Sequence, residues 1–156
     1  MTSAAQAAGT GPKVIWALQE WTLSPITDAI RGELEMWAKQ RAIANAAKMP
    51  KADGSVMNDA EKRVEVEKAK TEIRSGFYDY GAEGCRRMLA SLRGFELQLL
   101  LQFRVVHPGM TLEQLQRLRA EAGEDLNTAL EALLPNRPAP TPTTAPGTEA
   151  TAAPAG

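Results

Sequence analysis

Met88-Leu-Ala-Ser-Leu-Arg-Gly-Phe-Glu-Leu-Gln-Leu-Leu-Leu-Gln-Phe-Arg-Val-Val106 is the stretch from which the fold is read. Met88, Leu89, Leu92, Phe95, Glu96, Leu99, Leu100, Phe103 and Val106 recur at three and four residues. That spacing puts them on one broad face of an α-helix, predicted over about 82–106. The face is mostly apolar and is the strongest core candidate in the chain. Gly94 should weaken the helix by about 1 kcal/mol relative to Ala unless another helix packs closely there. His107-Pro108-Gly109 ends it.

Downstream, Thr111 and Gln114 have capping-box spacing, and Leu112, Leu115 and Leu118 follow. Gly123 divides this segment from a last short helix starting at Glu124 or Asp125, with Leu126, Leu130, Leu133 and Leu134, and Pro135 closes the fold. Upstream, Phe77-Tyr78-Asp79-Tyr80 lies between Gly76 and Gly81 and reads as a bend. Before it, Asn58 with Glu61 predicts the start of a highly charged helix from Asp59 to about Ser75. Val64, Val66, Ala69 and Ile73 are its apolar anchors. Pro50, Asp53-Gly54 and Ser55 mark a surface loop. A further helix, capped by Ser24 with Pro25 in its first turn, carries Ile26, Ile30, Leu34, Trp37 and Ala38 and must stop before Pro50.

Lys13-Val14-Ile15-Trp16-Ala17-Leu18-Gln19-Glu20-Trp21-Thr22-Leu23 is ambiguous. Val14, Trp16 and Leu18 alternate as in a strand, while Ile15, Leu18 and Trp21 equally suit a short helix. A single strand here would have no partner in the chain and would be marginal or completed by another molecule. The expected fold is therefore mainly α: four to five helices over 13–135, with a possible short N-terminal strand. Residues 1–12 are small and polar, and 136–156 are rich in Pro, Ala and Thr. Both ends are expected to be disordered, because neither can bury enough apolar surface to offset its ordering entropy. The remaining 120 or so residues suffice for one modest core, burying roughly 60–70% of the unfolded surface.

Composition narrows the function more than it names it. The net charge is −1, from 18 Lys plus Arg against 19 Asp plus Glu. That balance offers no electrostatic case for nucleic acid or an anionic membrane. A helix-turn-helix over 112–134 would use Glu124-Asp125-Leu126-Asn127-Thr128-Ala129-Leu130-Glu131 for recognition, an acidic segment unsuited to phosphates. No basic region leads into an apolar run at the N-terminus, and Leu99-Leu100-Leu101 is far short of the ~20 residues needed to span a bilayer. One cysteine, Cys85, fits a reducing compartment.

The inventory leaves little for catalysis. His107 is the single histidine and falls in a turn signal, with no nucleophile or orienting group in pattern. One His and one Cys cannot make the usual zinc sites, and GxxxxGK[ST] has no match. We expect no catalytic, cofactor or metal site. Most of the carboxylates fall on polar faces beside Lys or Arg. The aromatics total three Trp, two Tyr and three Phe. Trp16, Trp21 and Trp37, with Phe77, Tyr78 and Tyr80, are either core anchors or an apolar patch for a protein partner, since Trp and Tyr are enriched at binding hot spots.

Two segments carry a family resemblance. One is Trp21-Thr22-Leu23-Ser24-Pro25-Ile26-Thr27 leading to Leu34-x-x-Trp37-Ala38-Lys39-Gln40-Arg41; the other is Leu97 to Val106 followed by His107-Pro108-Gly109-Met110-Thr111-Leu112-Glu113-Gln114-Leu115. Their order is similar to that in tail assembly chaperone proteins of tailed phages and prophages, over roughly residues 14–135. The resemblance implies a non-enzymatic helper in the host cytoplasm. Its expected partner is the long helical tape measure protein, kept soluble while tail tube subunits assemble around it. Two other readings stay open: a structural virion component, such as a head–tail connector or minor tail protein, and a DNA-binding regulator or packaging protein.

Overall fold

The computed structural model describes residues 11–134. The expectations placed on 1–10 and 135–156 lie outside the described residues. The described residues form a two-stranded hairpin followed by six helices. These are β1 (Lys13–Trp16), β2 (Gln19–Thr22), α1 (Asp28–Lys48), α2 (Asp59–Arg74), α3 (Glu83–Ala90), α4 (Leu92–Arg104), α5 (Leu112–Glu121) and α6 (Gly123–Ala132). The mainly helical class expected from periodicity is what is found.

The ambiguous segment 13–23 is two strands rather than one, and each is the other's partner. β1 and β2 pair antiparallel, with Val14 opposite Trp21 and Trp16 opposite Gln19. Leu23 N–H donates to the Pro12 carbonyl at 2.9 Å, extending the ladder by one pair into the segment assigned to the N-terminal arm. The connection is Ala17-Leu18, with φ of 53° and 61°. Two successive positive φ values are what a two-residue type I′ turn requires, and Asn-Gly is the sequence that normally supplies them.

The predicted helix over 82–106 is broken at Ser91. Ser91 has extended backbone (φ −68°, ψ 157°), ending α3 and capping α4, and its Oγ accepts from Gly94 N–H at 3.1 Å. The close packing needed to justify Gly94 comes from α3 itself. A Cβ at Gly94 would lie 2.2 Å from the Met88 carbonyl oxygen and 2.7 Å from Leu89 Cα. The four to five expected helices thus become six among the described residues.

The start of α1 also shifts. Thr27, not Ser24, is the cap, its side chain accepting from Ile30 N–H. Ser24 is fully buried, and Gln102 binds its backbone from both sides: Ser24 N–H donates to the Gln102 carbonyl at 3.2 Å, and Gln102 Nε2 donates to the Ser24 carbonyl at 3.0 Å. A backbone held this way cannot open a helix. The other ends follow the sequence closely. Asn58 caps α2, Thr111 and Gln114 form a complete capping box on α5, and α1 stops before Pro50.

The main core lies between the hairpin and the three C-terminal helices. Val14, Trp21, Leu23, Leu99, Leu100, Phe103, Met110, Leu115, Leu118, Leu126 and Ala129 form one buried cluster. α1 buries Ile30, Leu34, Ala38 and Ala42 and packs on α2, α3 and α4. α2 buries only Ala69, as its charge predicts. Glu96, on the apolar face of α4, is buried at 7% exposure. Arg119 of α5 answers it at 3.1 Å, and Gln116 Nε2 adds a weaker bond at 3.4 Å. The Arg119 guanidinium also stacks 5.2 Å from the Phe95 ring centroid.

Candidate protein-binding surface

The six aromatics singled out from sequence do not form one patch; the fold distributes them over several places. Trp21 is a core residue, 7% exposed. Its ring lies 5.8 Å from that of Trp16 and 4.9 Å from that of His107, and its Nε1 donates to the Trp16 carbonyl at 3.1 Å. Trp16 is half-buried against the core, and its indole N–H donates to Glu121 at the end of α5. These contacts hold the hairpin rigidly to the helices.

His107 belongs to the same corner. Its Nε2 accepts the backbone N–H of Thr22 at 3.0 Å, so the ring is neutral with its proton on Nδ1. Burial holds its pKa below the ordinary value. The turn reading of His107-Pro108-Gly109 is right about the backbone but misses this cross-chain bond.

Phe77 and Tyr78 meet edge to face, with centroids 5.0 Å apart. Gly84 leaves room for Phe77, because a Cβ there would fall 2.6 Å from its ring. Tyr78 sits against α1, α2 and Met88, where burial, reinforced by Glu72, raises its hydroxyl pKa. Tyr80 faces another way, lining a groove with Pro25, Ile26, Leu130, Leu133 and Leu134, its ring 5.8 Å from the Arg31 guanidinium.

The 77–80 turn is fixed by charge. Glu35 Oε1 accepts Tyr80 N–H at 2.8 Å, and Lys39 bridges Glu35 and Asp79 at 3.1 Å each. The Tyr80 N–H, then Lys39, lowers the Glu35 pKa; Glu35, then Asp79, raises that of Lys39. Glu35 thus ties α1 to the turn. Cys85 is fully buried, and burial raises its thiol pKa, which keeps it protonated and unreactive.

Trp37 lies in a groove of its own. With Leu92, Arg93, Leu97 and Leu100 of α4 and Leu112 of α5 it lines a trough of about 410 Å³. Leu92 is 62% exposed and Leu112 44% exposed. Spacing places Leu92 on the apolar face of the predicted helix. The break at Ser91 turns Leu92 out of the core face, and Leu112, in the first turn of α5, stays in solvent while Leu115 and Leu118 are buried. Ile15 and Leu18 on the hairpin are also exposed, Leu18 completely. Sequence spacing gave no sign of these, because an exposed and a buried leucine look alike until the partner element is known.

Among the described residues, no group of three or more His, Cys, Asp or Glu is placed to hold a metal ion, and no helix is long and apolar enough to cross a membrane. No protein-family model matches the chain, and no characterised protein or solved structure is detectably similar to it.

Proposed function

We propose that this protein is a non-enzymatic assembly chaperone or adaptor of the phage tail type, which binds an amphipathic helix of the tape measure protein. The observation that carries the reading is the Trp37–Leu92–Leu112 trough. It is a groove walled by three helices and mostly apolar, with the Arg119-paired Glu96 carboxylate in its lining, Trp37 half-buried as an aromatic anchor, and Leu92 and Leu112 left in solvent. A helix laid in such a groove buries side chains at i, i+3, i+4 and i+7. Arg93 and Gln116 on the rim offer hydrogen bonds to the polar edge of that helix. The order of segments shared with tail assembly chaperones supports the identity of the partner.

Co-expression with the tape measure protein is the test. The partner should become soluble and co-purify in fixed stoichiometry. Leu92→Asp and Leu112→Asp should each abolish co-purification while leaving the helical circular dichroism unchanged, because both side chains are exposed. A tape measure protein whose solubility does not respond to co-expression would refute the proposal.

A further inference from the structure

At one end of the Trp37 trough, positive charge is left unanswered. Arg93 lines the trough in the first turn of α4, where it is exposed and makes no ion pair or side-chain hydrogen bond among the described residues. A cation there is unfavourable, because the start of a helix is the positive end of its macrodipole. α4 alone among the described helices has no acid in its first turn. Ser91 takes up the N–H groups of Gly94 and Phe95, which leaves those of Leu92 and Arg93 without a partner in the described residues.

The nearby acids are engaged or placed elsewhere. Glu96, one turn along α4, is held by Arg119 at 3.1 Å and by Gln116 at 3.4 Å. α1 runs antiparallel to α4, since Ile26, just before α1, shares a groove with Gln98 and Gln102, whereas Trp37 shares one with Leu92 and Leu97. Arg41, one turn after Trp37 on the same face of α1, therefore lies toward the Arg93 end, and Glu33, one turn before it, lies toward the other. Arg41 also has no ion pair among the described residues. The open charge at this end of the trough is thus all positive.

We infer that the helix seated in the trough ends its apolar stripe with an acidic side chain, Asp or Glu, whose carboxylate sits over the first turn of α4 against Arg93. The inference rests on the trough being the binding site and adds the charge of its occupant. A guanidinium, two free N–H groups and the positive end of a helix converge on one anion. The apolar contacts with Trp37, Leu92 and Leu112 supply affinity, and the carboxylate fixes the register in which the helix lies along them.

Three fluorescently labelled amphipathic peptides of equal length test it, each with Leu at i, i+3, i+4 and i+7 and with Glu, Gln or Lys closing the stripe at both ends. Fluorescence anisotropy against the full chain reads their affinities. The Glu peptide should bind about three- to tenfold more tightly than the Gln peptide, and the Lys peptide most weakly. Arg93→Gln should make the Glu and Gln peptides equal, and Arg93→Glu should shift the preference to Lys, with circular dichroism checking that folding is kept. Salt at about 1 M should erase the preference but not the binding. Peptides that bind equally, with Leu92→Asp still abolishing binding, overturn the inference and leave the trough as the site. A preference for Glu that survives Arg93→Gln overturns it as well. Binding by none of the three, or binding indifferent to Leu92→Asp, overturns the proposed use of the trough and this inference with it.

Discussion

His107 accepts a hydrogen bond from the backbone N–H of Thr22 across 85 residues of chain, and through it the turn after α4 holds the outer edge of the hairpin. A protonated imidazole has no lone pair to accept with, so it would leave that N–H facing another donor. Because burial lowers the His107 pKa, the unfolded chain takes up the proton first as pH falls. Stability should be level above about pH 7, fall as pH drops through the ordinary histidine value of about 6.5, and level off below the native pKa. Urea midpoints between pH 7.5 and 5, compared for wild type and His107→Gln, measure this at about pH values above carboxylate titration. The variant keeps an acceptor that does not titrate and should lose the slope.

The Glu96–Arg119 pair predicts an asymmetric result. Arg119→Met should destabilise the protein by about 2 kcal/mol, because it leaves the Glu96 carboxylate buried without its cation. Replacing both, Glu96→Leu with Arg119→Met, should recover most of that loss. Chemical denaturation of the single and double variants reads the difference. A double variant no more stable than Arg119→Met would show that the pair's worth lies in packing on Phe95 rather than in charge.

Much of the helical frame is legible in the sequence because its caps are local. Asn58 with Glu61 and Thr111 with Gln114 act within one turn, so residue type and spacing suffice. What the sequence hid depends on distance. Ala17-Leu18 carries none of the residues that favour a type I′ turn, and the hairpin is held by Trp21, Glu121 and His107 instead. The break at Ser91 was masked because apolar spacing runs through it, although Ser91 and Gly94 do bear the mark of a cap. For the binding surface, Trp37, half-buried in the fold, was identifiable as one of six candidate aromatics. Leu92 and Leu112 were not, since exposure is decided by which helices surround them.

The turn itself offers a stability prediction. Replacing Ala17-Leu18 by Asn-Gly relieves two left-handed residues and should stabilise the fold by about 1–3 kcal/mol. Thermal or urea unfolding checks this.

Gly94→Ala is expected to behave against helix propensity. Alanine normally gains about 1 kcal/mol over glycine in a helix. Here the added Cβ would meet the Met88 carbonyl oxygen at 2.2 Å, so the variant should lose stability, by about 2 kcal/mol. Ser91→Ala, which only removes the cap, should cost about 1 kcal/mol. Unfolding midpoints for the two variants separate close packing from capping at the same junction.

The bond between Thr22 and His107 also sets a clock on synthesis. Val14, Trp21 and Leu23 are translated well before Leu99, the first of the buried helical side chains they pack with. At about 5–20 residues per second, the hairpin waits about 4–17 s between translation of Thr22 and of His107. During that interval its apolar face has only nascent chain and ribosome around it. The hairpin's core therefore closes only once α4 to α6 have been made, and any event that stops translation before α4 releases a chain with that core open.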